Sequence, residues 1–125
     1  MSKVEKFEDL FVWQKAFELS RDIYSITTNE PFARDWGLKD QIRRASVSVM
    51  SNIAEGFERY SNPDFARFLA IARGSCAEVK SQLYLAHSLD CISEENFEKL
   101  RKLCSLLSGS IGKLRSSLNK TGGRT

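Results

Sequence analysis

Apolar residues along this chain recur in steps of three and four through four long stretches, and no segment alternates one in and one out as a strand would. The most regular pair lies in the middle. Leu38, Ile42, Ala45, Val49, Asn52 and Gly56 keep one face of a helix that should run from about Trp36 to Phe57, with Asp35 as its cap. Phe65, Leu69, Ala72, Cys76, Val79, Leu83 and Ala86 do the same on a following helix that persists to Leu89. Between them, Ser61 or Asn62 supplies a cap, Pro63 suits the first turn, and Asp64 places negative charge at the positive end of the dipole. The two helices therefore form an antiparallel hairpin.

The flanking stretches complete the set. Leu10, Trp13, Phe17, Ser20, Tyr24 and Thr27 predict a first helix capped by Asp9 and ending near Thr28, where Asn29, Glu30 and Pro31 interrupt it. Phe97, Leu100, Cys104, Leu107, Ile111, Leu114 and Leu118 predict a fourth, opened by Ser93 with Glu94 and Glu95 in its first turn. Gly109 and Gly112 weaken its last turns by roughly 1 kcal/mol each. Four long stripes joined by short connections give an all-α, antiparallel up-down-up-down four-helix bundle over residues 1–119, with 120–125 as a disordered basic tail.

Both central helices carry a second, weaker stripe. Val47, Met50, Ala54 and Phe57 lie round the first from its core face, and Ala66, Ala70, Gly74, Ala77 and Ser81 form a run of small residues on the other. Such a stripe can admit a neighbouring subunit, which makes Val47, Met50, Ala54, Phe57, Ala70, Gly74 and Ala77 a candidate oligomer interface; a wide core arc would produce the same pattern.

At 125 residues the chain fits one domain, and its apolar and charged fractions are those of a globular protein. A net charge of +3 does not by itself mark a nucleic-acid binder, but after Glu98 there are only basic charges: Lys99, Arg101, Lys102, Lys113, Arg115, Lys120 and Arg124. Lys39, Arg43, Arg44, Arg59, Arg67 and Arg73 add cations on the hairpin. In a ring of subunits these charges would repeat at fixed spacing and their fields would add, holding RNA or DNA by phosphate with little sequence preference. Arg43 projects beside the second stripe, where it can anchor an interface or lay its stem over the core edge; Arg44 points to the polar face.

Little points to catalysis. There is no glycine-rich phosphate loop, and His87 has Tyr84 three residues before it rather than the glutamate of a di-iron bundle, so it reads as a surface or edge histidine. Cys76, Cys91 and Cys104 make an odd set with no Cys-x-x-Cys pair, which argues against zinc and disulfides and for reduced thiols. With no signal-like leader and no apolar run of bilayer length, a cytoplasmic protein without metal or cofactor is expected. Asn52, near the core stripe, should bond a neighbouring helix, and Glu55 should pair with Arg59 four residues on.

Trp13-Gln14-Lys15-Ala16, Gly37-Leu38, Gln41-Ile42-Arg43-Arg44-Ala45, Ser51-Asn52-Ile53-Ala54-Glu55-Gly56, Phe68-Leu69-Ala70-Ile71-Ala72-Arg73-Gly74-Ser75 and Glu78 resemble the bacterial 23S rRNA intervening-sequence protein family. The resemblance covers nearly the whole chain and weakens in helix four. It implies a four-helix bundle assembled as a homopentamer, with no enzyme activity, and a distant likeness to the retroelement accessory protein that binds nucleic acid and a reverse transcriptase. Asn52, Glu55 and Glu78 are then expected as structural polar residues. Two functions stay open: an oligomeric module that binds RNA or DNA, or a scaffold that docks a partner enzyme or ribosomal component through protein contacts alone.

Overall fold

The computed structural model describes residues 4–121, with side chains through Leu118. Four helices make up the molecule: α1 (Phe11–Thr28), α2 (Trp36–Phe57), α3 (Asn62–Ser88) and α4 (Glu94–Thr121), with short 3-10 turns at Phe7–Asp9 and Phe32–Arg34. Each helix packs on its neighbours in sequence and α4 returns to α1, which is the up-down-up-down bundle that the stripes predict.

Local chemistry fixes the starts of three helices. Asp35 Oδ1 accepts the Leu38 N–H at 3.0 Å, Ser61 Oγ the Asp64 N–H at 3.2 Å, and Ser93 Oγ the Asn96 N–H at 3.1 Å. Helix α1 differs. Asp9 ends the 3-10 turn, and Leu10, in extended conformation, stands at the N-cap without a side-chain bond.

The core is a single cluster to which all four helices contribute. The predicted stripe of α3 is buried throughout, and that of α4 is buried except for the half-buried Leu114. In α1 the core face is Val12, Ala16, Leu19, Ile23 and Thr27 rather than the aromatic series. Phe17 and Tyr24 are more than two-fifths exposed, and Trp13 is half-buried. Large rings at a helical spacing masked an aliphatic stripe beside them. In α2, Ile53 takes the core position expected of Asn52, which is only half-buried. Asn52 Nδ2 donates within its own helix, to Ser48 O at 2.8 Å and Ser48 Oγ at 3.0 Å; the link to α3 is made one step on, by the 2.8 Å bond between the Ser48 and Ser75 hydroxyls.

A close approach seats α2 on α3. A Cβ at Gly56 would stand 2.6 Å from Phe68 Cβ and 3.0 Å from Phe65 Cδ1, so only glycine lets the two helices meet this near their turn. At the same end of the bundle, buried Asn62 donates from Nδ2 to the Leu118 carbonyl at 3.3 Å, tying the start of α3 to the end of α4. The expected 120–125 tail overlaps the last two residues of α4, and 122–125 lie outside the described residues.

Candidate functional site

The candidate cations occupy three separate places. At the amino-terminal end of α2, Arg43 turns back onto α1: its Nε donates to Thr27 Oγ1 at 2.8 Å, and its guanidinium centre lies 4.4 Å from the Tyr24 ring centroid. Thr27, itself buried, donates its own hydroxyl to the Ile23 carbonyl at 2.7 Å. Arg43 therefore clamps α2 to α1 within one subunit, with its stem along the core edge. Arg44 is exposed and pairs with Asp40 at 2.9 Å, while the Lys39 ammonium sits 4.9 Å from the centroid of the solvent-facing Trp36 ring.

At the other end of α2, about 24 Å along its axis from Arg43 at 1.5 Å per residue, Arg59 and Arg67 bracket the Phe68 ring with guanidinium centres 4.8 and 4.6 Å from its centroid. Arg59 pairs with Glu55 at 2.8 Å, as expected, and Arg67 lies 3.7 Å from Asp64. Neither group can share a small ligand with Arg43 across that distance.

Arg73 belongs to a third place, the outer groove between α3 and α4. Its Nε donates to Ser108 Oγ at 3.2 Å, and the guanidinium spreads over Gly112, where a Cβ would come within 3.3 Å of it. Lys80 Nζ donates to Ser105 Oγ at 3.1 Å, and Arg115 Nε to the Ala66 carbonyl at 3.1 Å. Gly109, Lys113 and Ser116 line the same groove. The acid-free run after Glu98 carried the signal for Lys113 and Arg115, but Lys80 joins them only through the register of α3 against α4.

The proposed interface residues divide in a similar way. Val47, Met50, Ala54 and Phe57 are half-buried, and Met50 and Phe57 pack against the core. A helix with neighbours on two sides needs a wide apolar arc, so part of this stripe is explained inside the subunit. Yet the flank is not closed: counting back from the Arg43–Tyr24 contact in an antiparallel pair sets Phe17 across from Met50 and Trp13 across from Ala54, and Phe17 and Tyr24 remain largely exposed. Trp13 and Phe17 stack with centroids 5.1 Å apart, so this flank presents one aromatic surface. Ala70, Gly74 and Ala77 are exposed on α3, and nothing lies within 4 Å of a Cβ at Gly74. Glu78 is also exposed.

His87 shares a bond of 2.7 Å with Glu94 and stacks on Phe97 at 4.2 Å. Among the described residues no three His, Cys, Asp or Glu side chains are placed to hold a metal ion, and no helix is long and apolar enough to cross a membrane. The thiols are unpaired; Cys76 donates to the Cys104 carbonyl at 3.3 Å, and both are buried.

Four packed helices with these two contrasting flanks define an all-α bundle protein, and its candidate cations and interface residues lie on the outer faces of the helices. The chain belongs to the 23S rRNA-intervening sequence protein family, whose sequence model matches residues 8–113. Among solved structures it is similar to a protein of unknown function from the S23 ribosomal protein family of Bacteroides thetaiotaomicron. The two are 24% identical, with a TM-score of 0.77 over 83% of this chain and 97% of that one, a likeness of fold. A search of curated proteins finds no match.

Proposed function

We propose that this chain is a non-enzymatic, self-associating binding module of the cytoplasm, a homopentamer that holds RNA or DNA with little sequence preference through arginines and lysines repeated around the ring. The observation that carries the reading is the aromatic flank of α1 and α2, where Phe17 and Tyr24 face solvent beside half-buried Val47, Met50 and Ala54. Apolar area left in water gains about 25 cal/mol for each Å² that a second subunit covers. The exposed Ala70 and Gly74 on α3 offer a low surface on another side of the bundle, beside the groove that Ala77 lines. Two different complementary patches build head-to-tail contacts, which form a ring when the rotation from one copy to the next closes.

Titrating labelled RNA at two salt concentrations tests the nucleic-acid half of this reading. Binding that weakens steeply with salt is expected, and absence of binding at low salt contradicts it. A protein-docking scaffold is the second reading, and one observation favours it: Arg44, Arg59 and Arg67 each face a carboxylate three or four residues before them and Arg43 is engaged on α1, so much of the hairpin's charge is used internally. Assembly and RNA binding measured on the same preparation separate the two: an assembly that binds no RNA at low salt supports the scaffold, and one whose RNA binding weakens steeply with salt supports the nucleic-acid module.

A further inference from the structure

The cations of this protein differ in what they face. On α2 and at the α2–α3 turn, Arg44, Arg59 and Arg67 lie against Asp40, Glu55 and Asp64. In the α3/α4 groove the partners are neutral: two serine hydroxyls for Arg73 and Lys80 and a backbone carbonyl for Arg115. A hydroxyl orients an ammonium or guanidinium without cancelling its charge, so the field of this groove stays positive. No acidic residue follows Glu98 on α4, and none lies between Asp64 and Glu78 on α3. Glu78, at 100° per residue, sits about 140° round the helix from Arg73 and about 160° from Lys80, away from the groove. Glu98, at the far end, is taken up by Arg101 at 2.9 Å.

The floor suits close approach. Gly109, Gly112, Ser105, Ser108 and Ser116 present small or hydroxylic surface, and from Ala66 to Lys80 the groove is about 21 Å long at 1.5 Å per residue. No aromatic side chain lines it, so it lacks the stacking platform on which unpaired bases are held. A rod of evenly spaced phosphates is the ligand that such a surface fits, since hydroxyls, lysines and arginines all contact phosphate oxygens without reading bases.

We infer that the α3/α4 groove is the nucleic-acid site of this protein, that Arg73, Lys80, Lys113 and Arg115 contact the phosphates, and that it takes a duplex in preference to a single strand. This rests on the nucleic-acid reading proposed above and moves its seat from the α2 side of the hairpin to the groove between α3 and α4.

The test is fluorescence anisotropy of the full chain with a labelled 20-base-pair RNA duplex, and with one of its strands alone, from low to moderate salt. Four phosphate contacts per protomer give a slope of about −3.6 in log K against log salt on the duplex. Each lost contact weakens binding roughly eightfold at 0.1 M salt, so Lys80→Gln with Lys113→Gln should lose roughly 60-fold and halve the slope. Arg44→Gln with Arg67→Gln changes net charge equally and should lose less than about threefold. Unchanged thermal melting shows that each variant folds. A larger loss from the Arg44 and Arg67 pair, or equal losses from both pairs, overturns the groove while leaving nucleic-acid binding intact. Tighter binding to the single strand overturns the duplex preference. A wild-type chain that binds neither probe at low salt removes the underlying reading, and the groove assignment with it.

Discussion

Replacing Gly56 by alanine tests how α2 and α3 are held together. The added Cβ would meet Phe68 Cβ at 2.6 Å, Phe65 Cδ1 at 3.0 Å and Phe68 Cγ at 3.4 Å, against an ordinary carbon–carbon separation of about 3.5–4.0 Å. The Phe65 ring can turn slightly, but Phe68 Cβ is fixed to the α3 backbone. Relief therefore requires the helices to separate by about 1 Å where Phe57 and Phe65 make their edge-to-face contact at 5.9 Å. Overpacking of this kind costs about 1–3 kcal/mol. Alanine returns at most about 1 kcal/mol of helix propensity, and less this near the helix end. A net loss of about 1–2 kcal/mol is expected, read as a lower urea midpoint at fixed protein concentration with an unchanged slope. Gly109→Ala is the matched control, since nothing lies within 4 Å of its added carbon, and it should gain up to about 1 kcal/mol. Wild-type or higher stability in Gly56→Ala would show that the two helices do not meet as described.

Three further outcomes are expected. Arg43→Ala should destabilise by about 1–2 kcal/mol in thermal or urea melts, because it removes a bond to buried Thr27 and the stacking on Tyr24, whereas Arg44→Ala should change stability by less than about 0.5 kcal/mol. In the native protein at mildly alkaline pH, a thiol reagent should modify Cys91 alone. Cys76 and Cys104 are both 1% exposed, so burial should make these two react only on unfolding, and the contact with Cys76 together with burial also pushes the Cys104 thiol up; three equally fast thiols would contradict the core. Gly74→Ala should stabilise an isolated subunit by up to about 1 kcal/mol, since the position is open, and should lower the assembled mass if a neighbour packs there.

Helices α2 to α4 are legible in the sequence because three signals agree in each: a cap, an unbroken three-four stripe, and a break. Asp35, Ser61 and Ser93 all cap as their residue types suggest. Helix α1 was less legible for a physical reason. Trp13, Phe17 and Tyr24 keep a helical spacing of their own because they line the α1/α2 groove, one-third of a turn from the aliphatic face, and periodicity alone does not rank two adjacent stripes. Asn52 failed similarly, since an amide near a core face can satisfy itself one turn back at Ser48 without reaching another helix. For the candidate site, the sequence shows where positive charges lie but not which are neutralised. The contrast between Arg44 facing Asp40 and Lys80 facing Ser105 depends on rotamers and on helix register across the bundle.

Self-association is the claim on which the proposed function depends, and the mass of the full chain in solution tests it most directly. Sedimentation or light scattering over the micromolar range should return about 71 kDa, five copies of the 14.2-kDa chain. Met50→Glu, which places a charge on the aromatic flank, should bring that mass down. A wild-type protein that stays at 14.2 kDa throughout the range would contradict the ring and the charge addition built on it.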